Sequence, residues 1–572
     1  MGAQSNAPWR LPEVILIAAG LIVFLALALY QIQLPGLHYD EAREAGLPAL
    51  QILQGLPVDA FRGAGIRIGP VLIPLMLVDY IGATNVALAL PFLTIGGPQV
   101  AALRALPVSL SVIALLLLYA FARQVYNWRV AAAAFLLLAV NPSFVFWSRQ
   151  GIFVTSTIIP LSLGAALCLV RWYRQGSRLC LWLGMFLLGL GLYTKFIFLW
   201  VIVAYAIAFA LFEGPRLLKA IHRRQVSALP YPLGWPEIGG AALAFLAGLA
   251  PLILYNLQTG GTFNVIGQNL TTSYYGTNNL AFWQNLNTRW TQLVAVLTGG
   301  HLWYLGGIFE NMLWLYVVVA ALFAAAIALA LRRGRGIRRA LLPWLMCAVI
   351  LLLSCFTLSA LWPTHFAILA PWPPLALAVS LDLVSERLRH LTTKARGVTK
   401  ETPPVSEGFA ASGATSLLAW LPWLLVALLI LLDVRLDMAY HQALARSGGL
   451  AGHTSAIYDL AAGLDARGLA APVAMDWGMA AQVEFLTAGR VRPVEIFGYD
   501  WNVDEAFGQR LRSFLDNPDS VYIFHSPAET VFPRREAFDA LVSSRGQTTT
   551  TEEVYRQKDG KPMFTLVRVT GQ

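Results

Sequence analysis

Apolar runs of membrane length recur along the chain, separated by short basic stretches. A helix rising 1.5 Å per residue needs about twenty residues to cross a hydrocarbon layer of roughly 30 Å. Windows of that length predict helices near residues 12–34, 102–122, 130–146, 152–171, 179–194, 196–212, 237–255, 308–331, 340–360, 363–384 and 416–434. The first run, Leu11 to Leu34, is too long for a signal-peptide core and lacks a small-residue cleavage site after it, so it reads as a retained span. Residues 69–97 break the pattern, because Asp79, Asn85, Pro91 and Gly96-Gly97-Pro98 cut the segment into pieces short for full spans. Re-entrant or interfacial helices are predicted there.

The polarity changes twice toward the end. Around residues 385–415 the chain turns polar, with Lys394-Ala395-Arg396-Gly397 and Pro403-Pro404, which reads as a disordered cytoplasmic linker. From Asp437 onward hydrophobicity is moderate. Helical periodicity over Ala456 to Arg467 is followed by short β-type runs at Pro472 to Met475, Val491 to Phe497, Val521 to Phe524 and Met563 to Val569. The predicted architecture is a polytopic α-helical membrane protein of about 11 to 13 spans over residues 1–436, with a first external loop at 35–101. A small α/β domain follows at 437–572.

Composition agrees with a membrane location: 57% of residues are hydrophobic, 13% are charged, and mean hydropathy is +0.61. The net charge of +10 does not point to nucleic acid, because the basic residues cluster in short loops between spans. Those loops hold Arg123 and Arg129, Arg171 to Arg178, Arg216 to Arg224, Arg332 to Arg339 and Arg387 to Lys400. All fall on one side when spans alternate, and the positive-inside rule makes that side cytoplasmic. The opposite, extracytoplasmic side receives the Asp40 loop, the corners at Trp147 to Arg149, Tyr193 to Lys195 and Trp362 to His365, the long loop 256–306, and the C-terminal domain. A multi-pass protein of the plasma membrane, in contact with its lipids, fits these signals. Cys168, Cys180, Cys347 and Cys355 lie in or beside apolar runs, with no zinc or disulfide spacing.

Carboxylates at the edge of an apolar chain are the first pointer to chemistry. After span one stands His38-Tyr39-Asp40-Glu41-Ala42-Arg43-Glu44, opening a short predicted helix that ends at Gly55 and Pro57. Structurally, Asp40 is read as an N-cap and Glu41 as a first-turn acid complementing the helix dipole. Chemically, a carboxylate at the mouth of a membrane cavity can take a proton from a hydroxyl nucleophile. Arg149 and Lys195, at helix ends on the same side, either snorkel to lipid phosphate or join Arg104 and His365 in a basic pocket for one or two phosphates. The polar, aromatic stretch from Tyr255-Asn256 through Tyr274, Tyr275 and Asn279 suits sugar hydroxyls and ring faces, as it suits any ordered polar loop. No P-loop, GxGxxG, GxSxG or HExxH pattern occurs, so the energy for a reaction must come from the substrate, a condition an activated lipid fits.

The order Tyr39-Asp40-Glu41-Ala42, Leu103-Arg104-Ala105-Leu106-Pro107, Trp147-Ser148-Arg149, Leu192-Tyr193-Thr194-Lys195, Pro251 to Tyr255-Asn256, and His365 before Pro371 resembles the GT-C membrane glycosyltransferases. The likeness is to the branch of protein O-mannosyltransferases and lipid A aminoarabinose transferases, and it covers roughly residues 12 to 385. It implies an inverting transfer from a polyprenyl-phosphate sugar to a lipid, glycan or protein acceptor. Asp40 is then the catalytic base and Glu41 its support. Arg149, Lys195 and His365, with Arg104, would hold the donor phosphate, and Tyr39, Tyr193 and Asn256 would face substrate. No cofactor is required; a divalent metal is compatible but not indicated, because Gln150 to Ser156 lacks the acid many relatives carry there. The C-terminal domain has no feature of a β-trefoil. Competing classes are a polyprenyl-diphosphate glycan ligase or polymerase, a transporter with an external domain, and a non-catalytic assembly protein.

Overall fold

The computed structural model describes residues 10–69, 71–150, 155–223, 229, 231–331, 336–398 and 420–571. Every predicted span falls on a helix or a bent pair of helices. Among the described residues, five helices are long and apolar enough to cross a membrane, seven if each bent pair is one span, and Arg178–Thr194, Leu313–Ile327 and Ala340–Leu353 are shorter apolar ones. The chain is a multi-pass membrane protein.

Proline decides where spans bend. The window 130–146 folds as Trp128–Ala139 and Pro142–Gln150, inclined at 61°, because Pro142 has no N–H to continue the first helix but suits the first turn of the next. Pro363–Leu369 and Trp372–Arg389 meet at 46° around Pro371. The first span stops at Leu29, earlier than predicted, and leaves through Gln31 at φ 53. The helix Trp372–Val398 runs through the first half of the predicted linker; residues 399–415 lie outside the described residues.

Residues 69–97 depart in part from the expected re-entrant or interfacial helices. Hairpins Gly65–Ile68 with Val71–Pro74, and Met76–Val78 with Ile81–Gly82, precede a single helix, Thr84–Gly96. The β-branched residues of this stretch pair across strands, and the buried Asp79 fastens the second hairpin to the bundle. It accepts from Tyr255 Oη at 2.6 Å and from Arg62 Nε and Nη2, each at 2.8 Å.

The C-terminal domain is a five-stranded mixed sheet, in spatial order Val494–Glu495, Val473–Ala474, Val521–His525, Pro562–Thr570 and Thr548–Arg556. The first two neighbour pairs are parallel and the last two antiparallel. Helices Ala456–Ala466, Ala480–Leu486, Phe507–Leu515 and Arg535–Ser544 pack on it. Its long helix Leu421–Ser447 enters from the bundle without interruption.

Candidate active site

The segment after the first span is held between bundle and C-terminal domain rather than lying on a lipid surface. Leu37, Tyr39, Ala42 and Ala49 pack against Leu103 and Leu106 on one side and Ala481 and Phe485 on the other. Gly36 donates its N–H to His453 O at 2.8 Å, and a Cβ there would collide with the Thr454 carbonyl. Backbone approach of this kind requires glycine.

His38, not Asp40, caps the helix. Its Nδ1 accepts the Asp40 N–H at 3.2 Å, which requires an unprotonated nitrogen. Burial, with Arg104 nearby, holds His38 below its ordinary range, and its ring stacks on His453 at 4.4 Å. The expected capping role for Asp40 is thereby taken over, and its carboxylate is left 26% exposed. From Ala42 to Gly46 the helix widens into a π-turn, closing with Leu47 N–H on Ala42 O just before Pro48, which has no N–H to offer.

Glu41 and Arg104 form a closed ion pair behind this loop. Arg104 reaches Glu41 through Nη2 at 2.8 Å and Nε at 3.0 Å; its remaining donors go to the carbonyls of Ile32 (2.8 Å), Pro35 (2.9 Å) and Gly36 (3.3 Å). A guanidinium has five N–H donors, and all five are engaged. The reading of Arg104 as a phosphate ligand gives way to that of a clamp on residues 32–41. Arg149 stands on the same side: fully buried, it donates to Gln31 O, meets His441 Nδ1 at 3.3 Å and lies 5.7 Å over Phe146. Its Nε has no hydrogen-bond partner among the described residues.

In front of the loop, Asp40, Glu44 and Lys195 share one electrostatic neighbourhood. Burial raises Glu44 and lowers Lys195; the opposite charge of each works against that shift, while Asp40 adds to the rise of Glu44 and opposes the fall of Lys195. Lys195 is placed there by the second hairpin, since Ile81 pairs with Lys195 and Phe196 N–H donates to Tyr80 O at 3.0 Å. Tyr193 serves the same purpose. Its hydroxyl bonds Leu75 O at 2.9 Å and Ala83 N at 3.1 Å, so the expected substrate contact is a hairpin anchor. Asn256 also bonds locally, donating to Leu252 O at 2.9 Å and accepting from Phe263 N–H at 3.2 Å. The exposed Tyr275 of the polar loop feels the Asp40 charge.

His365 lies within the field of Lys195 and accepts from Arg289 Nη2 at 3.1 Å. Arg289 also bonds Ser354 O at 2.8 Å and Trp362 O at 2.9 Å, holding the corner that carries His365. As the only Lys or Arg in residues 256–306, it was the signal in that loop for a buried anchor. Tyr39 turns toward the C-terminal domain, 3.4 Å from Tyr499 Oη and 4.6 Å from the Trp477 ring. Among the described residues, no group of three or more His, Cys, Asp or Glu side chains is arranged to hold a metal.

Residues 87–229 match the family model described as dolichyl-phosphate-mannose-protein mannosyltransferase. The fold matches the crystal structure of ArnT from Cupriavidus metallidurans bound to undecaprenyl phosphate, with a TM-score of 0.56 and 13% identity over 97% of each chain. An apo oligosaccharyltransferase from Archaeoglobus fulgidus aligns at a TM-score of 0.49 and 14% identity, over 93% of this chain and 71% of that one. No curated protein matches in sequence. The shared fold over 97% of each chain, with the family match at residues 87–229, makes the chain similar to membrane glycosyltransferases of the GT-C class. Within that class the likeness is to the protein mannosyltransferase and ArnT type.

Proposed function

We propose that the chain moves a sugar from a polyprenyl-phosphate donor to a hydroxyl or amine acceptor on the extracytoplasmic side, with inversion. The observation that carries this reading is the division of the acid pair: Glu41 is consumed by Arg104, whereas Asp40 remains accessible beside Lys195. Asp40 takes the acceptor proton as the acceptor oxygen or nitrogen bonds to the anomeric carbon. The bond from that carbon to the phosphate oxygen breaks, and polyprenyl phosphate leaves. Lys195, a buried cation, counters the charge growing on the leaving group, where low dielectric strengthens it. His365, held by Arg289, offers Nε2–H as a second donor, because Nδ1 is occupied as acceptor. The chemistry assigned to these side chains calls for no resident metal. The neighbour crystallised with undecaprenyl phosphate supports the donor class, and the basic loops at the other end of the bundle support the orientation.

Native mass spectrometry of the detergent-purified protein after incubation with a bacterial lipid extract tests the reading. The expected result is a retained polyprenyl-phosphate hexose or pentose whose signal falls in Lys195→Met. Absence of any retained prenyl phosphate, with the protein folded and the donor verified in the extract, overturns it.

A further inference from the structure

The loop from Phe497 to Val503 carries exposed aromatics on an unusually well-built support. Trp501 is 63% exposed and Tyr499 56%, while beneath them Phe497 and Phe532 are buried and stacked at 5.2 Å. Trp501 rests on Phe532 at 5.1 Å, its plane tilted by 31°. A buried guanidinium fixes the backbone: Arg534 donates to the carbonyls of Phe497 at 2.7 Å, Asp500 at 2.5 Å and Asn502 at 3.0 Å. Arg510 closes the next turn onto Asp504 at 2.6 and 2.9 Å, and Gly498 takes φ 69 between the two. Ordering a loop costs conformational entropy, so a loop shaped in advance to display large rings to solvent has its ordering cost met before a ligand arrives. Contiguous exposed rings on a water-facing domain mark a binding surface.

Position and chemistry narrow the occupant. Tyr499 Oη touches Tyr39 Oη at 3.4 Å, and Tyr39 adjoins Asp40, so the rings border the mouth where an acceptor must enter. Asp500 and Asn502 sit among them, both exposed, and Tyr499 also bonds Glu495 Oε2 at 2.7 Å. Exposed carboxylates repel the phosphates of a membrane surface. Ring faces combined with carboxylate and amide acceptors suit a neutral hydroxylated ring, whose C–H face packs on an electron-rich aromatic while its hydroxyls donate.

We propose that Tyr499, Trp501 and Asn502 form an acceptor platform for a pyranose, making the acceptor a carbohydrate. This deepens, and rests on, the reading of Asp40 as the base of a sugar transfer.

Full-length protein in nanodiscs, probed by saturation-transfer NMR with mannotetraose, maltotetraose and chitotetraose, tests it. Transfer to ring protons of at least one probe is expected, with affinity about tenfold weaker in Trp501→Ala. Retention of undecaprenyl phosphate and melting temperature should match wild type, because Trp501 is an exposed side chain and Arg534 holds the loop through backbone carbonyls that the substitution leaves in place. Equal binding by wild type and Trp501→Ala, or no binding of any probe, overturns the platform. Brominated phosphatidylcholine in the nanodisc supplies the rival outcome. If the Trp501 fluorescence, taken by difference from Trp501→Phe, is quenched, the loop is a membrane anchor and the proposal falls. Failure of wild type to retain undecaprenyl phosphate counts against the donor reading instead, and saccharide binding lost in Trp501→Ala still supports the platform.

Discussion

Asp40 and Glu41 are adjacent in sequence and opposite in circumstance. Glu41 is buried against an arginine whose every donor is satisfied, whereas Asp40 is partly open, relieved of capping by His38 and set beside a buried lysine. The contrast extends to the basic residues: Arg104 and Arg149 bond the consecutive carbonyls of Ile32 and Gln31 behind the loop, while Lys195 and His365 lie in front of it. A charge such as Arg104, with every donor engaged, holds a fold in shape; on the proposed reading, the charges on the side where Asp40 is open act on the substrate.

Substitutions separate the two sides. Asp40→Asn should cut sugar transfer by about 10²–10⁴-fold while leaving the melting temperature unchanged, the signature of a base and not a support. A folded variant with near wild-type transfer would sink that assignment. Arg104→Met should do the converse, costing roughly 3–5 kcal/mol by stranding the Glu41 carboxylate, read as a large drop in thermal stability. If Arg104→Met melts like wild type yet loses donor retention, the closed and open roles are exchanged. Lys195→Met should lower the transfer rate by about 10²-fold, the scale for losing one preorganised charge at a developing anion.

The smallest effect concerns Glu44. Its folded value lies above the ordinary 4.5, mainly through burial, so it favours the folded state while protonated and loses that contribution as pH rises through the raised value. The melting-temperature advantage of wild type over Glu44→Gln should therefore shrink between about pH 5 and 8. A difference that stays flat or grows over that range breaks the claim that the half-buried Glu44 is desolvated in the open cluster.

Much of the helical framework was legible because membrane spans obey a length and polarity rule that acts locally. The 130–146 window shows its limit, since hydropathy sees one apolar run where Pro142 makes two helices. The hairpins within residues 65–82 escaped for a related reason. Short β pairs between hydrophobic residues have no signal distinct from helical fragments until Asp79 finds Tyr255, 176 positions away. Asn256 and Tyr193 tie down neighbouring turns in a way no local window announces, because polar residues at helix ends look alike whether they bind substrate or anchor a turn.

By itself the sequence determined the polytopic architecture, the change of character after Asp437 and the presence of two acids after the first span, all properties of short windows. Only the tertiary structure decided which acid is closed and which open, and that Tyr39 meets the C-terminal domain. Those outcomes depend on hydrogen-bond partners from remote segments, Arg104 for Glu41 and Tyr499 for Tyr39, at 63 and 460 residues' distance. Saturation of a buried charge is a sum over every donor and acceptor folded around it, and no local stretch of chain contains that sum.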